Sequence, residues 1–195
     1  MEKIIKKYNE FCQTPSDINE HLKTLKKYGE ECENIVEMGV RTIVSTWAFL
    51  SSNPKNMTSI DLLHPSAFGA DINEVYDAVK DTNINFEFIE SDSLLVNIDD
   101  CDLLFIDTWH DFLQLKKELN RHNSKVKKYI ILHDTVTFGY TNEPLDWNYP
   151  AKNTNETNLP SGLCPAIDEF LLLHNDWLLF ERHSNNNGLT ILKRK

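Results

Sequence analysis

Cys101-Asp102-Leu103-Leu104-Phe105-Ile106-Asp107-Thr108-Trp109-His110-Asp111 and, further on, Tyr129-Ile130-Ile131-Leu132-His133-Asp134-Thr135 are the two stretches on which the fold of this chain turns. Each is an apolar run with the length of a strand buried on both faces, and each stops abruptly on residues that bind cations or move protons. In an open α/β sheet, ligands gather outside the carboxyl ends of the strands. Two neighbouring strands would therefore bring Asp107, His110, His133 and Asp134 to one rim. Two carboxylates flanked by imidazoles suit a divalent cation, or a base acting beside one.

Outward from this pair the same texture repeats at the intervals of βαβ units. Strands are expected at 35–39, 58–61 and 86–89, closing on Glu37-Met38-Gly39, on Asp61 and on Glu90-Ser91-Asp92. Helices are expected through 45–50, 72–79 and 111–121, the last with Phe112, Leu115 and Leu119 on one face. Downstream, 165–173 reads as a helix, and 177–182 and 189–192 read as strands joined by Asn185-Asn186-Asn187-Gly188, a strong hairpin signal. The expected fold is α/β, a doubly wound and mostly parallel seven-stranded sheet that ends in an antiparallel hairpin. Residues 1–32 form a helical cover, broken at Thr14-Pro15-Ser16-Asp17, where Thr14 or Ser16 can cap the second helix. Ile18, Leu22, Leu25 and Tyr28 give that helix a packing face. Between 137 and 162 the periodicity disappears, and Phe138, Tyr140, Trp147 and Tyr149 stand among Asn, Thr and Pro. A loop this long in a compact domain is usually functional or disordered, and its aromatics favour a lid over a substrate.

At 195 residues the chain has the size of one domain with a sizeable core. A formal net charge of -10 argues against a nucleic-acid partner, which would need a basic stripe to meet the phosphates. Lys6-Lys7, Lys26-Lys27 and Lys127-Lys128 read as solvated faces. Cys12, Cys32, Cys101 and Cys164 show neither the close spacing of a zinc site nor a disulfide framework, and Cys101 reads as a buried thiol in a reducing compartment. Residues 1–11 lack the apolar segment of a signal peptide, and no stretch approaches a membrane span. A cytoplasmic protein without a membrane partner is expected.

Three groups of residues carry the chemistry. Glu37, Gly39 and Asp61 suit a nucleoside, because a carboxylate ending the second strand can accept both ribose hydroxyls and a glycine lets a ligand approach the backbone. The same acids can equally cap the helices that follow. The second glycine expected in such a turn is missing from Arg41-Thr42-Ile43-Val44. Asp107, His133 and Asp134 can serve a hard octahedral ion, with the histidine leaving Mn2+ or Fe2+ open alongside Mg2+; alternatively His133 is an imidazole held by a neighbouring carboxylate, and Asp134 a turn cap. His110 can remove a proton from a hydroxyl held at the same ion, or simply open the next helix at the surface. Trp109 reads as packing or as the flank of a flat ligand ring. His21, His64, His122, His174 and His183 show no partner pattern.

This order of motifs, strand-Glu-x-Gly, strand-Asp, strand-Ser-Asp, strand-Asp-x-Trp and strand-His-Asp with a closing hairpin, resembles the class I S-adenosylmethionine-dependent methyltransferases, whose fold is Rossmann-like. The segment from Phe105 to Asp111 resembles the metal segment of catechol O-methyltransferase, in which Asp-x-Trp-Lys supplies a metal ligand and a catalytic lysine. By that match Asp107 is a ligand and His110 takes the place of the base. Leu132-His133-Asp134-Thr135 is similar to the family's Asp-Asn or Asp-Asp pair, with His133 in the place of the first acid. The tail from Gly162 to Phe170, and on through Asn187-Gly188-Leu189, is similar to sugar O-methyltransferases and their cephalosporin-hydroxylase-like relatives. The resemblance implies Glu37, Gly39 and Ser45 near the methionine moiety, Asp61 at the ribose, Ser91 and Asp92 near the adenine, and Trp109 beside the cofactor.

What the resemblance implies in chemistry is transfer of a methyl group from S-adenosylmethionine to an oxygen, assisted by Mg2+ or Mn2+, with His110 taking the proton. A hydroxyl of a sugar or glycan is the preferred acceptor, since an aromatic, amide-rich lid suits a pyranose face. A catechol-like small molecule is the alternative, and homo-oligomers remain open. Other readings are a non-catalytic nucleoside-binding scaffold, favoured by the missing glycine, and a metal-dependent hydrolase or hydroxylase that uses the rim without the cofactor.

Overall fold

The structure is a computed structural model, and it describes residues 1–144 and 159–195. Trp147 and Tyr149, with most of the expected lid, lie outside the described residues. Seven strands form one sheet in the order β3-β2-β1-β4-β5-β7-β6. They are β1 (Asn34–Met38), β2 (Asn56–Asp61), β3 (Asn85–Glu90), β4 (Cys101–Ile106), β5 (Val126–His133), β6 (Trp177–His183) and β7 (Leu189–Arg194). Pairings among β1 to β5 are parallel, whereas β7 runs antiparallel to both β5 and β6. The expected hairpin is present, with Asn186, Asn187 and Gly188 all at positive φ as a tight turn requires.

β4 is buried along its whole length. Its alternate residues feed two cores, as the period of a strand dictates. Leu103 and Phe105 join one apolar cluster with α1 (Glu2–Gln13), α2 (Leu22–Gly29), α3 (Val44–Ser51) and α4 (Asn73–Val79). Leu104 and Ile106 join the other, with α5 (Phe112–His122) and α6 (Leu163–Leu173). Ile18, Leu22, Leu25 and Tyr28 are all buried in the first cluster, and Phe112, Leu115 and Leu119 in the second.

The break in the amino-terminal cover is a reciprocal cap. Asn19 N donates to Ser16 Oγ at 3.0 Å, and Ser16 N donates to Asn19 Oδ1 at 3.0 Å. This cap opens a 3-10 turn (Asn19–His21) that runs into α2. Asp111 caps α5, its Oδ1 accepting from Leu113 N at 2.8 Å and Gln114 N at 3.2 Å. Among the described residues no helix is long and apolar enough to cross a membrane.

The turn between β1 and α3 keeps a left-handed bend although the second glycine is absent. Ile43 lies at φ 57 with its N–H donating to Val40 O at 2.8 Å. A left-handed β-branched residue costs about 1–2 kcal/mol. The side chain offsets that cost, since Ile43 is only 4% exposed and packs in the first core cluster, and truncating a buried Ile typically costs about 2–5 kcal/mol. Burial wins over strain. Ile43→Gly should therefore lower the thermal midpoint; a rise would mean that backbone strain is the larger effect.

Candidate active site

The carboxyl ends of β1 and β4 face each other where the sheet's crossovers diverge to either side. Gly39, at φ 87, sits so close to β4 that a Cβ there would lie 1.9 Å from the carbonyl oxygen of Asp107. No side chain fits. The sheet ladder continues beside it, with Asp107 N donating to Met38 O at 2.8 Å and Gly39 N to Ile60 O at 2.9 Å. The turn after β1 and the polar end of β4 thus form one rim.

Beneath that turn Glu37 is fully buried and points at α3. Its carboxylate accepts from Ser45 Oγ at 2.5 Å, Ser59 Oγ at 2.7 Å and Thr46 Oγ1 at 2.8 Å. Burial pushes its acid up to about 7, against the pull of the three hydroxyls. Asp61 supports the turn from β2, with Oδ2 accepting from Val40 N at 2.7 Å and Arg41 N at 2.9 Å and Oδ1 from Leu63 N at 3.0 Å. Ser91 follows β3 with its N–H on Asp61 O at 2.8 Å. Asp92 caps the next turn through Leu94 N at 2.8 Å. Asp61 and Asp92 therefore act as local caps in this structure. Trp109 lines a small cavity under the rim with Thr108, Glu118 and Leu163. A roomier concavity of about 740 Å³, lined in part by Glu31, Lys55, Asp102 and Lys128, opens at the opposite ends of the strands, away from the end where such sheets bind ligands.

Asp107 from the end of β4, and His133 and Asp134 from the end of β5, meet His110 at the rim. His110 Nε2 lies 3.2 Å from Asp107 Oδ1 and 3.1 Å from Asp134 Oδ2. His133 Nδ1 lies 3.2 Å from Asp107 Oδ1 and 3.5 Å from Asp134 Oδ2. The other edge of His133 donates from Nε2 to Asn186 O at 3.2 Å, in the β6–β7 turn. His21, from the cover, donates to Asn185 O at 2.9 Å and Asn186 O at 3.1 Å. It is thus a buried structural histidine one hydrogen bond away from the rim.

Two residues of the 137–162 stretch complete the site, Phe138, already marked as one of its aromatics, and Glu143, which gave no sequence signal. Glu143 Oε2 lies 2.9 Å from His110 Nδ1, and the Phe138 ring stacks on His110 with centroids 4.9 Å apart. Burial disfavours the His110 imidazolium, yet the hydrogen bonds to Asp107 and Glu143 outweigh it and push its pKa up to about 10. Burial likewise opposes the charge on His133, but Asp107 and Asp134 raise its pKa to about 11. Burial would raise Asp107, and the two imidazoles overcome it and hold the carboxyl well below its usual range.

Asp107, His110 and Asp134 each offer a ligand atom within 4.8 Å of one another, and Asp134 Oδ1 is buried without a hydrogen-bond partner among the described residues. That donor set, two carboxylates and one or two imidazoles with an orphaned oxygen, fits a divalent cation.

No protein-family model matches the sequence, and no curated protein matches it. Solved structures do match. A methyltransferase from Podospora anserina with S-adenosylhomocysteine bound superposes with a TM-score of 0.62 at 12% identity, over 100% of this chain and 88% of that one. An O-methyltransferase from Bacillus cereus, also in complex with S-adenosylhomocysteine, gives 0.62 at 13%, over 100% and 91%. An O-methyltransferase from Streptomyces achromogenes involved in tomaymycin synthesis, in complex with S-adenosylmethionine, gives 0.60 at 12%, over 100% and 90%. The chain has the Rossmann-like fold of the class I S-adenosylmethionine-dependent methyltransferases. At these identities the likeness is one of fold.

The paired charges at the rim tie stability to pH. Both imidazoles have folded pKa values above their ordinary 6.5, so the stability they contribute is complete below that value and is lost as pH rises through about 10 to 11. Asp107, depressed, contributes above its ordinary 3.8 and loses that contribution as pH falls toward its folded value. In the presence of EDTA the thermal midpoint should fall as pH is raised from about 6.5 to about 10, and fall less in His110→Asn; equal slopes in the two proteins would contradict the pairing.

Proposed function

We propose that the chain is an S-adenosylmethionine-dependent O-methyltransferase in which a divalent cation, Mg2+ or Mn2+, assists transfer to a hydroxyl of a small molecule or glycan. The observation that carries this reading is the convergence of Asp107, His110, His133 and Asp134 directly beside the Gly39 turn. Glu37, Gly39, Ser45 and Asp61 surround the turn where the nucleoside would lie, with Ser91 and Asp92 following β3 and Trp109 following β4. Asp107 and Asp134 would hold the cation, with His133 at the edge of its sphere. The cation would lower the pKa of the acceptor hydroxyl. Bound S-adenosylmethionine would supply the methyl group, the S–CH3 bond giving way to an O–CH3 bond, and His110 would take the hydroxyl proton. A cation held by Asp107 and Asp134 would take up the two carboxylates that face His110 Nε2, and His110 would then be free to accept a proton there. A sugar acceptor is favoured by the aromatic, amide-rich composition of 137–162, which suits a pyranose face.

Calorimetric titration with S-adenosylmethionine and S-adenosylhomocysteine should show binding that Asp61→Ala loses, because that carboxylate holds the turn. Absence of binding to the wild-type protein would replace this reading with that of a scaffold that kept the fold. With an acceptor in hand, EDTA should abolish turnover and Asp107→Ala should mimic it. His110→Ala should lower turnover about a hundred- to ten-thousandfold with cofactor affinity retained; near-normal turnover would remove it from the mechanism.

A further inference from the structure

His110 is held on three sides. Phe138 lies flat against the ring with an interplanar angle of 6°, which fixes the plane of the imidazole. Nε2 faces Asp107 and Asp134. Nδ1 faces Glu143, whose Oε2 also accepts from the His110 backbone N–H at 3.3 Å, while the Glu143 N–H donates to His110 O at 2.8 Å. Stacking alone leaves the ring a twofold ambiguity, since both flips about Cβ–Cγ present the same face. A fixed acceptor on one nitrogen removes it.

We propose that Glu143 is the positioning residue for His110, holding Nδ1–H so that Nε2 is turned toward the Asp107–Asp134 rim. What Nε2 then does rests on the methyl-transfer reading; the orientation does not. A carboxylate on Nδ1 sets the tautomer as well, placing the hydrogen there and leaving the lone pair of a neutral ring at Nε2, as a base facing a substrate requires. A purely structural role, tying the segment after β5 to the start of α5, is already filled by the neighbouring residue. Asn142 Oδ1 accepts from Phe112 N at 3.2 Å and from Gly162 N at 2.6 Å. Among the described residues the Glu143 side chain has the ring and main chain of His110 as its partners.

The test is nuclear magnetic resonance of the metal-free protein labelled with 15N-histidine, reading the ring nitrogens through their carbon-bound protons. The His110 signals are assigned by their absence in His110→Gln. Glu143→Ala should move the His110 ring resonances away from the pattern of a hydrogen-bonded Nδ1–H, while those of His122, held by the Ser93 carbonyl away from the rim, stay in place. Glu143→Gln, which keeps an oxygen acceptor and loses the charge, should move them less; it decides alone if the alanine variant does not fold. His110 resonances that superpose on the wild type in either variant would overturn the assignment. Once an acceptor is known, Glu143→Ala should lower kcat about ten- to a hundredfold, as loss of an orienting partner typically does, with the KM for S-adenosylmethionine unchanged and part of the loss recovered in Glu143→Gln. A wild-type protein that binds no cofactor would end the methyl-transfer reading and leave the resonance experiment to decide on Glu143.

Discussion

The architecture of the rim depends on one close approach. Gly39 presses against the carbonyl of Asp107 with no space for a Cβ, and through that contact the turn after β1 and the end of β4 become a single surface. Everything on either side is arranged around it. Asp61 braces the turn from β2, Glu37 braces it from below through α3, and β5 delivers His133 and Asp134 to the far side of Asp107. A side chain at position 39 would push the turn after β1 away from the end of β4.

Glu37 and Asp107 sit near each other and show how burial is resolved in two ways. Glu37 is satisfied by neutral hydroxyls, which cannot compensate a charge fully, and its acid rises to about 7. Asp107 meets two imidazoles, and its charge is retained despite burial. The first is a buried acid tied to α3 and β2 by three hydroxyls. The second keeps a negative charge at the rim, where a cation or a protonated imidazole can meet it.

Most of the fold was legible because it is written in local patterns. The runs ending at Asp107 and Asp134, the face made by Phe112, Leu115 and Leu119, and the Asn185 to Gly188 turn each carry their own periodicity or turn chemistry, and each lies where that pattern puts it. At the site, the same runs brought Asp107, His110, His133 and Asp134 together. What stayed hidden was set by tertiary contact. Glu143 lies 33 residues from His110 in a stretch without periodicity, so no spacing rule connects them. Asp61 reads equally as a ribose ligand and as a cap from its place at a strand end, and the path of the loop shows its oxygens accepting from Val40, Arg41 and Leu63. Ile43 violates the glycine expectation because its side chain finds a core the turn itself does not reveal.

The carbonyl of Asn186 accepts from both His21 and His133, and the Asn186 amide group donates to Ser16 O at 2.9 Å. One peptide group in the last hairpin therefore joins the helical cover to the rim. During synthesis on the ribosome, His133 Nε2 must wait for a partner 53 positions further along, and although the cover can already pack on α3, His21 gains its acceptors only when the same turn emerges. The parallel strands can pair before then, but the rim is completed late. A nascent chain stalled before that hairpin would hold most of the sheet and an unfinished site.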